Sequence, residues 1–172
     1  THRLNVPPGH TIDRNIALAR ALGVDARPAD LCLRSPSADE EDVQRLLRKV
    51  SLPAGRFVLC VPPTRWPTKH YPVRLWRQAV VEMLRVAPVA LSGGPGDRPL
   101  CRAVADGLDG VVDLCGRTPL SALPALTASA GAVVCCDSAV KFVAEAVGTP
   151  PLVLTGPTRP GRTGPYRLGR AL

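Results

Sequence analysis

The chain has 172 residues, which suits one ordinary domain and excludes two full ones, because single domains mostly hold roughly 100 to 200 residues. Hydrophobic residues make up 45% and charged residues 21%, a balance that buries a core and excludes wholesale disorder. The formal charge of +8 calls for an anionic partner: nucleic acid, phosphate or a membrane surface. Part of that charge is a compositional habit, since 19 of the 22 basic residues are Arg in a chain rich in Ala, Gly and Pro. Aromatics are only 3% against 19 Pro and 15 Gly, so the core must be built from Ala, Val and Leu joined by sharp turns.

The N-terminus, Thr1 to Asn5, is not a signal peptide and carries no initiator Met, so the chain reads as a piece of something longer. After a Pro7–Pro8–Gly9 turn, Ile12, Ile16, Ala19 and Leu22 predict a short amphipathic helix stopped by Gly23. A second helix is predicted by Val43, Leu46, Leu47 and Val50, with Ser37 as N-cap and Glu40 completing a capping box. Residues 1–53 therefore read as a connector with lead-in helices, and residues 54–172 as the main domain. From Arg56 onward, short apolar runs alternate with helical periods. Strands are predicted at Phe57–Val61, Val89–Leu91, Val111–Leu114, Ala132–Cys136 and Leu152–Leu154. The helices between them are marked by Leu75 to Leu84, by Leu100, Val104 and Leu108, by Leu120, Leu123 and Leu126, and by Val140 to Val147. Continuous apolar strands alternating with helices predict an α/β fold, a Rossmann-like parallel sheet with helices on both faces. Ligands of such sheets bind at the carboxyl ends of the strands.

The segments after those strands carry the chemistry. The first, Pro62 to Pro72, holds Thr64, Arg65, Thr68 and Lys69 before a helix N-terminus, an arrangement suited to an anion. The second, Ser92–Gly93–Gly94–Pro95–Gly96–Asp97, allows close backbone approach, and Asp97 is placed to cap the next helix or accept from a ribose hydroxyl. It is neither a G-x-G-x-x-G fingerprint nor a P-loop. After the fourth strand, Asp137 or Ser138 is expected to cap a helix whose first turn carries Lys141, a cation that opposes the helix dipole unless an anion binds there or the side chain reaches solvent. The fifth, Thr155 to Tyr166, is rich in hydroxyls, Arg159 and Arg162. Together these loops point to a diphosphate or nucleotide. Cys32, Cys60, Cys101, Cys115, Cys135 and Cys136 form no C-x-x-C pair or zinc-spaced cluster, so they read as buried free thiols of a reducing compartment. No acidic cluster for a divalent metal is evident, and no apolar run reaches the roughly 18 residues of a membrane helix.

In this order, Thr64–Arg65–Trp66–Pro67–Thr68–Lys69–His70–Tyr71–Pro72, Gly93–Gly94–Pro95–Gly96–Asp97, Leu114–Cys115–Gly116–Arg117–Thr118–Pro119–Leu120, Gly148–Thr149–Pro150 and Thr155–Gly156–Pro157–Thr158 resemble the motifs of glycosyltransferase family 9, the ADP-heptose:lipopolysaccharide heptosyltransferases. The lead-in, His10 to Asn15 and Leu18 to Gly23, is similar to that family's interdomain connection. The resemblance implies the C-terminal, nucleotide-sugar-binding domain of a two-domain GT-B enzyme. Its N-terminal domain, with the acceptor site and general base, is then expected before Thr1, and a final strand and helix after Leu172.

It further implies inverting, metal-independent transfer of heptose from ADP-heptose to a lipopolysaccharide inner-core acceptor, without a cofactor. The implied location is the cytoplasm, at the inner face of the plasma membrane through peripheral association, with no nucleic-acid partner. Thr64 and Lys69 would bind the diphosphate, Lys69 stabilising the leaving group. Asp97 would take the nucleoside, and Asp137 and Ser138 the diphosphate-sugar region. Arg65, Gly93, Gly94, Ala139, Lys141 and Thr158 complete the expected donor site. The family's Asp-Ser/Thr-Gly-x-x-His is here Asp137–Ser138–Ala139–Val140–Lys141–Phe142, with Phe142 in place of the imidazole. That departure admits a hexosyl or polysaccharide transferase of the same fold. A basic nucleic-acid-binding or regulatory α/β module is the alternative from another class. The chain alone is expected to bind donor weakly and not to transfer.

Overall fold

The computed structural model describes Val6 and residues 8–171. The N-terminal Thr1–Asn5 segment, and Pro7 of the expected turn, lie outside the described residues.

The first helix, α1 (Thr11–Ala21), starts at His10, whose imidazole Nδ1 accepts from the Ile12 amide at 3.2 Å. Gly23 ends it at φ +86°, a conformation that only glycine adopts without strain. Helix α2 (Ser37–Lys49) follows, with Pro36 as the residue before its first turn. The expected capping box is absent: Ser37 is already helical and no side chain caps the helix. Pro36 fits there because a helix start has no use for the amide that proline lacks. The serine that works is Ser35, which donates to Ser121 O at 2.7 Å and accepts from the Ala125 amide at 3.0 Å.

The sheet contains β1 (Val58–Val61), β2 (Val89–Leu91), β3 (Val111–Asp113), β4 (Ala132–Cys136), β5 (Pro151–Leu154) and β6 (Arg170–Ala171), all parallel, in spatial order β3-β2-β1-β4-β5-β6. The sixth strand corrects the five-strand expectation. It begins before Leu172, and two residues are too few to show a period in the sequence. Between strands lie α3 (Val73–Leu84), α4 (Arg98–Ala105), α5 (Leu123–Ala128) and α6 (Val140–Val147), and a short α7 (Pro160–Thr163) interrupts the last loop.

Alternation along the strands divides the core in two. Leu59, Val61, Val133, Cys135 and Val153 face Val43 and Leu47 of α2, Leu126 of α5 and Ala144 of α6. Cys60, Leu91, Val134 and Cys136 face Trp76 and Val80 of α3 and Cys101 and Val104 of α4. Both faces of β1 and β4 are thus buried, which is why those strands read as unbroken apolar runs. Helix α2, though within residues 1–53, packs in the same cluster as the strands.

The order of strands reverses between β1 and β4. The chain leaves β1 toward α3 on one face and leaves β4 toward α6 on the other, so the carboxyl ends of these neighbouring strands border a crevice.

Candidate functional site

Asp137 directly follows β4 and lies at that crevice with its side chain 2% exposed. Lys69, from the single turn Pro67–Lys69 after β1, places Nζ 2.7 Å from Asp137 Oδ2. Lys141, one turn along α6, pairs with Oδ1 of the same carboxylate. Thr158, from the loop after β5, donates its hydroxyl to Oδ2 at 2.6 Å. Three separate chain segments thus converge on one acid. Burial alone would raise the Asp137 pKa, but the hydrogen bonds from Lys141, Lys69 and Thr158 outweigh it and lower the value from 3.8 to about 2. The acid is an anion at neutral pH, and with two ammonium groups the cluster keeps one surplus positive charge.

Packing supports this convergence. The loop after β5 crosses the Lys69 turn so closely that a Cβ on Gly156 would meet Thr68 O at 3.2 Å. His70 Nε2 lies 2.9 Å from Thr64 O and ties the turn to the start of its loop. Helix α6 begins at Ala139 without a side-chain cap, so neither Asp137 nor Ser138 performs the capping expected of it. Asp137 is engaged by the cations, and Ser138 Oγ is buried with only the weakly accepting Cys135 thiol beside it. The site therefore combines a half-buried ammonium on Lys69, an uncapped helix N-terminus and a hydroxyl with spare capacity, all favourable for an anion.

Other expected residues stand apart from this cluster. Arg65 is exposed and lies over the Trp66 ring, 5.8 Å from its centroid. Asp97 does not cap α4 with its side chain; it turns back to accept from the Gly94 amide at 2.8 Å and closes its own loop. A Cβ on Gly93 would meet Asp97 Cβ at 2.9 Å and Pro63 Cγ at 3.0 Å, so this glycine makes room for protein atoms. The 93–97 loop is braced by Gly116, whose amide donates to Gly93 O at 2.9 Å. Gly116 holds φ +67°, with no space for a side chain beside Arg98 and Pro95.

Two clusters escape sequence reasoning. Cys101, Asp113 and Cys115 bring their ligand atoms within 4.8 Å of one another, although their spacing matches no metal motif. Burial pushes both thiols up, so they stay protonated, and each points at a backbone carbonyl: Cys101 at Ser92 O (3.9 Å) and Cys115 at Gly94 O (3.2 Å). Five of the six cysteines are buried free thiols; Cys32 is exposed. The second cluster is Glu145 of α6, 3% exposed, whose carboxylate accepts from the consecutive amides of Tyr166, Arg167, Leu168 and Gly169 at 2.8 to 3.2 Å. Those amides lead into β6. Tyr166 also stacks on His10, with ring centroids 4.9 Å apart, and donates its hydroxyl to Asp13 of α1.

The sequence model of glycosyltransferase family 9 (heptosyltransferase) matches residues 1–169. The chain belongs to glycosyltransferase family 9. Among family relatives, the lipopolysaccharide heptosyltransferase 1 of Pseudomonas aeruginosa is 34% identical over 116 residues, 66% of this chain and 32% of that protein. The lipooligosaccharide heptosyltransferase 2 of Haemophilus influenzae is 35% identical over 111 residues, 60% of this chain and 30% of that protein. The chain thus matches about a third of the length of these two relatives. Among solved structures, a family 9 glycosyl transferase from Veillonella parvula superposes with a TM-score of 0.88 at 21% identity, over 99% of this chain and 51% of that one. The Escherichia coli heptosyltransferase WaaC with ADP gives 0.74 at 22% identity, over 99% and 52%. The family 9 fold therefore accounts for this whole sheet and its helices. Among the described residues, no helix is long and apolar enough to cross a membrane.

Proposed function

We propose that this chain is the donor-binding part of an inverting, metal-independent glycosyltransferase that moves heptose from ADP-heptose to a lipopolysaccharide inner-core acceptor. The observation that carries this reading is the Lys69–Asp137–Lys141–Thr158 cluster at the crevice between β1 and β4, with its surplus positive charge. Family membership and the names of the relatives point the same way.

In the proposed reaction an acceptor hydroxyl attacks the anomeric carbon as the bond to the diphosphate breaks on the opposite side. The departing diphosphate gains negative charge, and fixed donors aimed at it lower the barrier. Lys69, the α6 N-terminus and Ser138 are the groups we assign to that role, and Asp137 holds the Lys69 ammonium at the crevice until the donor arrives. The group that takes the acceptor proton must lie opposite the leaving group, and we place it outside this chain. The acceptor and any contact with the membrane face belong to that other part as well. Because Phe142 replaces the family's imidazole, a second donor sugar is a specific alternative within the same chemistry.

Calorimetric titration with ADP, UDP and ADP-heptose tests the proposal. Binding of ADP and ADP-heptose in preference to UDP, weakened about tenfold or more by Lys69→Ala, is the expected result. A chain that binds none of the three, or a Lys69→Ala variant that binds as well as the unaltered chain, would refute the site.

A further inference from the structure

Lys141 is buried, with its side chain 4% exposed, and its ammonium faces Asp137 from within the protein, whereas Lys69 reaches the same carboxylate from the crevice with its side chain 21% exposed. The two cations are therefore unequal. Lys69 can leave Asp137 for an incoming anion by a side-chain rotation at the surface, but Lys141 is enclosed, its ammonium held between Asp137 and the Phe142 ring, 4.6 Å from the ring centroid. An aspartate with Lys69 as its sole cation would resist that departure, because a buried carboxylate left without a counter-ion is strongly penalised. With Lys141 and Thr158 in place, the carboxylate remains paired after Lys69 moves.

Composition points independently to the same pair. The chain has 19 Arg and 3 Lys, yet two of those three lysines meet on Asp137. A compact ammonium shares one carboxylate with a second cation more readily than a planar guanidinium fork does, and it moves more freely on its stem.

We propose that Lys141 is the permanent counter-ion of Asp137, a positioning residue that frees Lys69 to transfer its ammonium from Asp137 to the diphosphate of the donor. This rests on the donor reading above. The groups facing Asp137 are Lys69, Lys141, Thr158 and the neighbouring thiols of Cys135 and Cys136, and burial pushes both thiols up, Cys135 to about 12, so they remain neutral. When donor draws Lys69 away in Lys141→Met, Asp137 is left buried with Thr158 alone. Its pKa then rises and it takes up a proton.

The test is calorimetric titration with ADP-heptose at about pH 6, in buffers of different ionisation enthalpy, for the unaltered chain, Lys141→Met and the double variant Lys141→Met/Asp137→Asn. The first is expected to bind without proton uptake at Asp137. Lys141→Met is expected to bind about tenfold or more weakly, with proton uptake in excess of the unaltered chain and with affinity recovering as pH falls. The double variant removes one charge of each sign, leaves no unpaired buried ion, and is expected to recover part of the affinity that Lys141→Met loses, without its excess proton uptake. It keeps the comparison valid even where Lys141→Met alone unfolds. Unchanged affinity in Lys141→Met, or a loss that Asp137→Asn does not reduce, overturns the proposal. No binding to the unaltered chain overturns the donor reading itself, and this proposal with it.

Discussion

Asp137 carries two roles through one carboxylate: it holds Lys69 toward the crevice and it neutralises Lys141 inside the protein. Its pKa is depressed in the folded state, from 3.8 to about 2. A group of this sign stabilises the fold fully above its unfolded value, and that contribution is lost as pH falls from about 4 toward about 2. Asp137→Asn is therefore expected to lower stability at neutral pH and to show a flatter acid dependence over that window than the unaltered chain, measured by urea denaturation at several pH values. A parallel acid dependence in the two proteins would show that the carboxylate is not the paired anion described here. Lys141 was legible in the sequence as a misplaced cation, because a lysine in the first turn of a helix opposes the dipole. Its partner was not legible, because solvent and Asp137 are equally within reach of a flexible side chain until the fold buries one route. Asp97 was legible as a capping residue, but its acceptor role goes to the Gly94 amide instead of the helix.

The strands and principal helices follow from local pattern, and their order along the chain gave the fold class because apolar runs and helical periods are short-range signals. What pattern does not carry is a side chain that acts on distant backbone. Glu145 sits on α6 among alanines and valines, and its donors are amides more than twenty positions away. Backbone amides have no residue signature, so a sequence cannot announce them. The same holds for β6, whose two residues are positioned by that loop. The carboxylate satisfies four amides of a segment that otherwise has little core to hold it. Glu145→Gln keeps the shape but removes the charge and half of the accepting capacity. It is expected to cost roughly 2 to 4 kcal/mol and to expose the amides of residues 166–169 to hydrogen exchange well before global unfolding. Protection unchanged at those four amides would contradict the role assigned to Glu145.

At the scale of the molecule, the strand order places the site. Among the described strands, β1 and β4 are the neighbours whose outgoing crossovers diverge to opposite faces, and the cluster built by Lys69, Asp137, Lys141 and Thr158 lies at their carboxyl ends. The net charge of +8 is diffuse by comparison: Arg65, Arg159 and Arg162 are exposed, and the charge that matters is the single surplus held in the crevice. Backbone amide chemical shifts followed during titration with ADP-heptose test this placement most directly. The largest changes are expected at residues 68–69, 137–141 and 155–158, with little change along the opposite edge of the sheet. Saturable binding whose shifts gather elsewhere and leave Asp137 to Lys141 unmoved would contradict it.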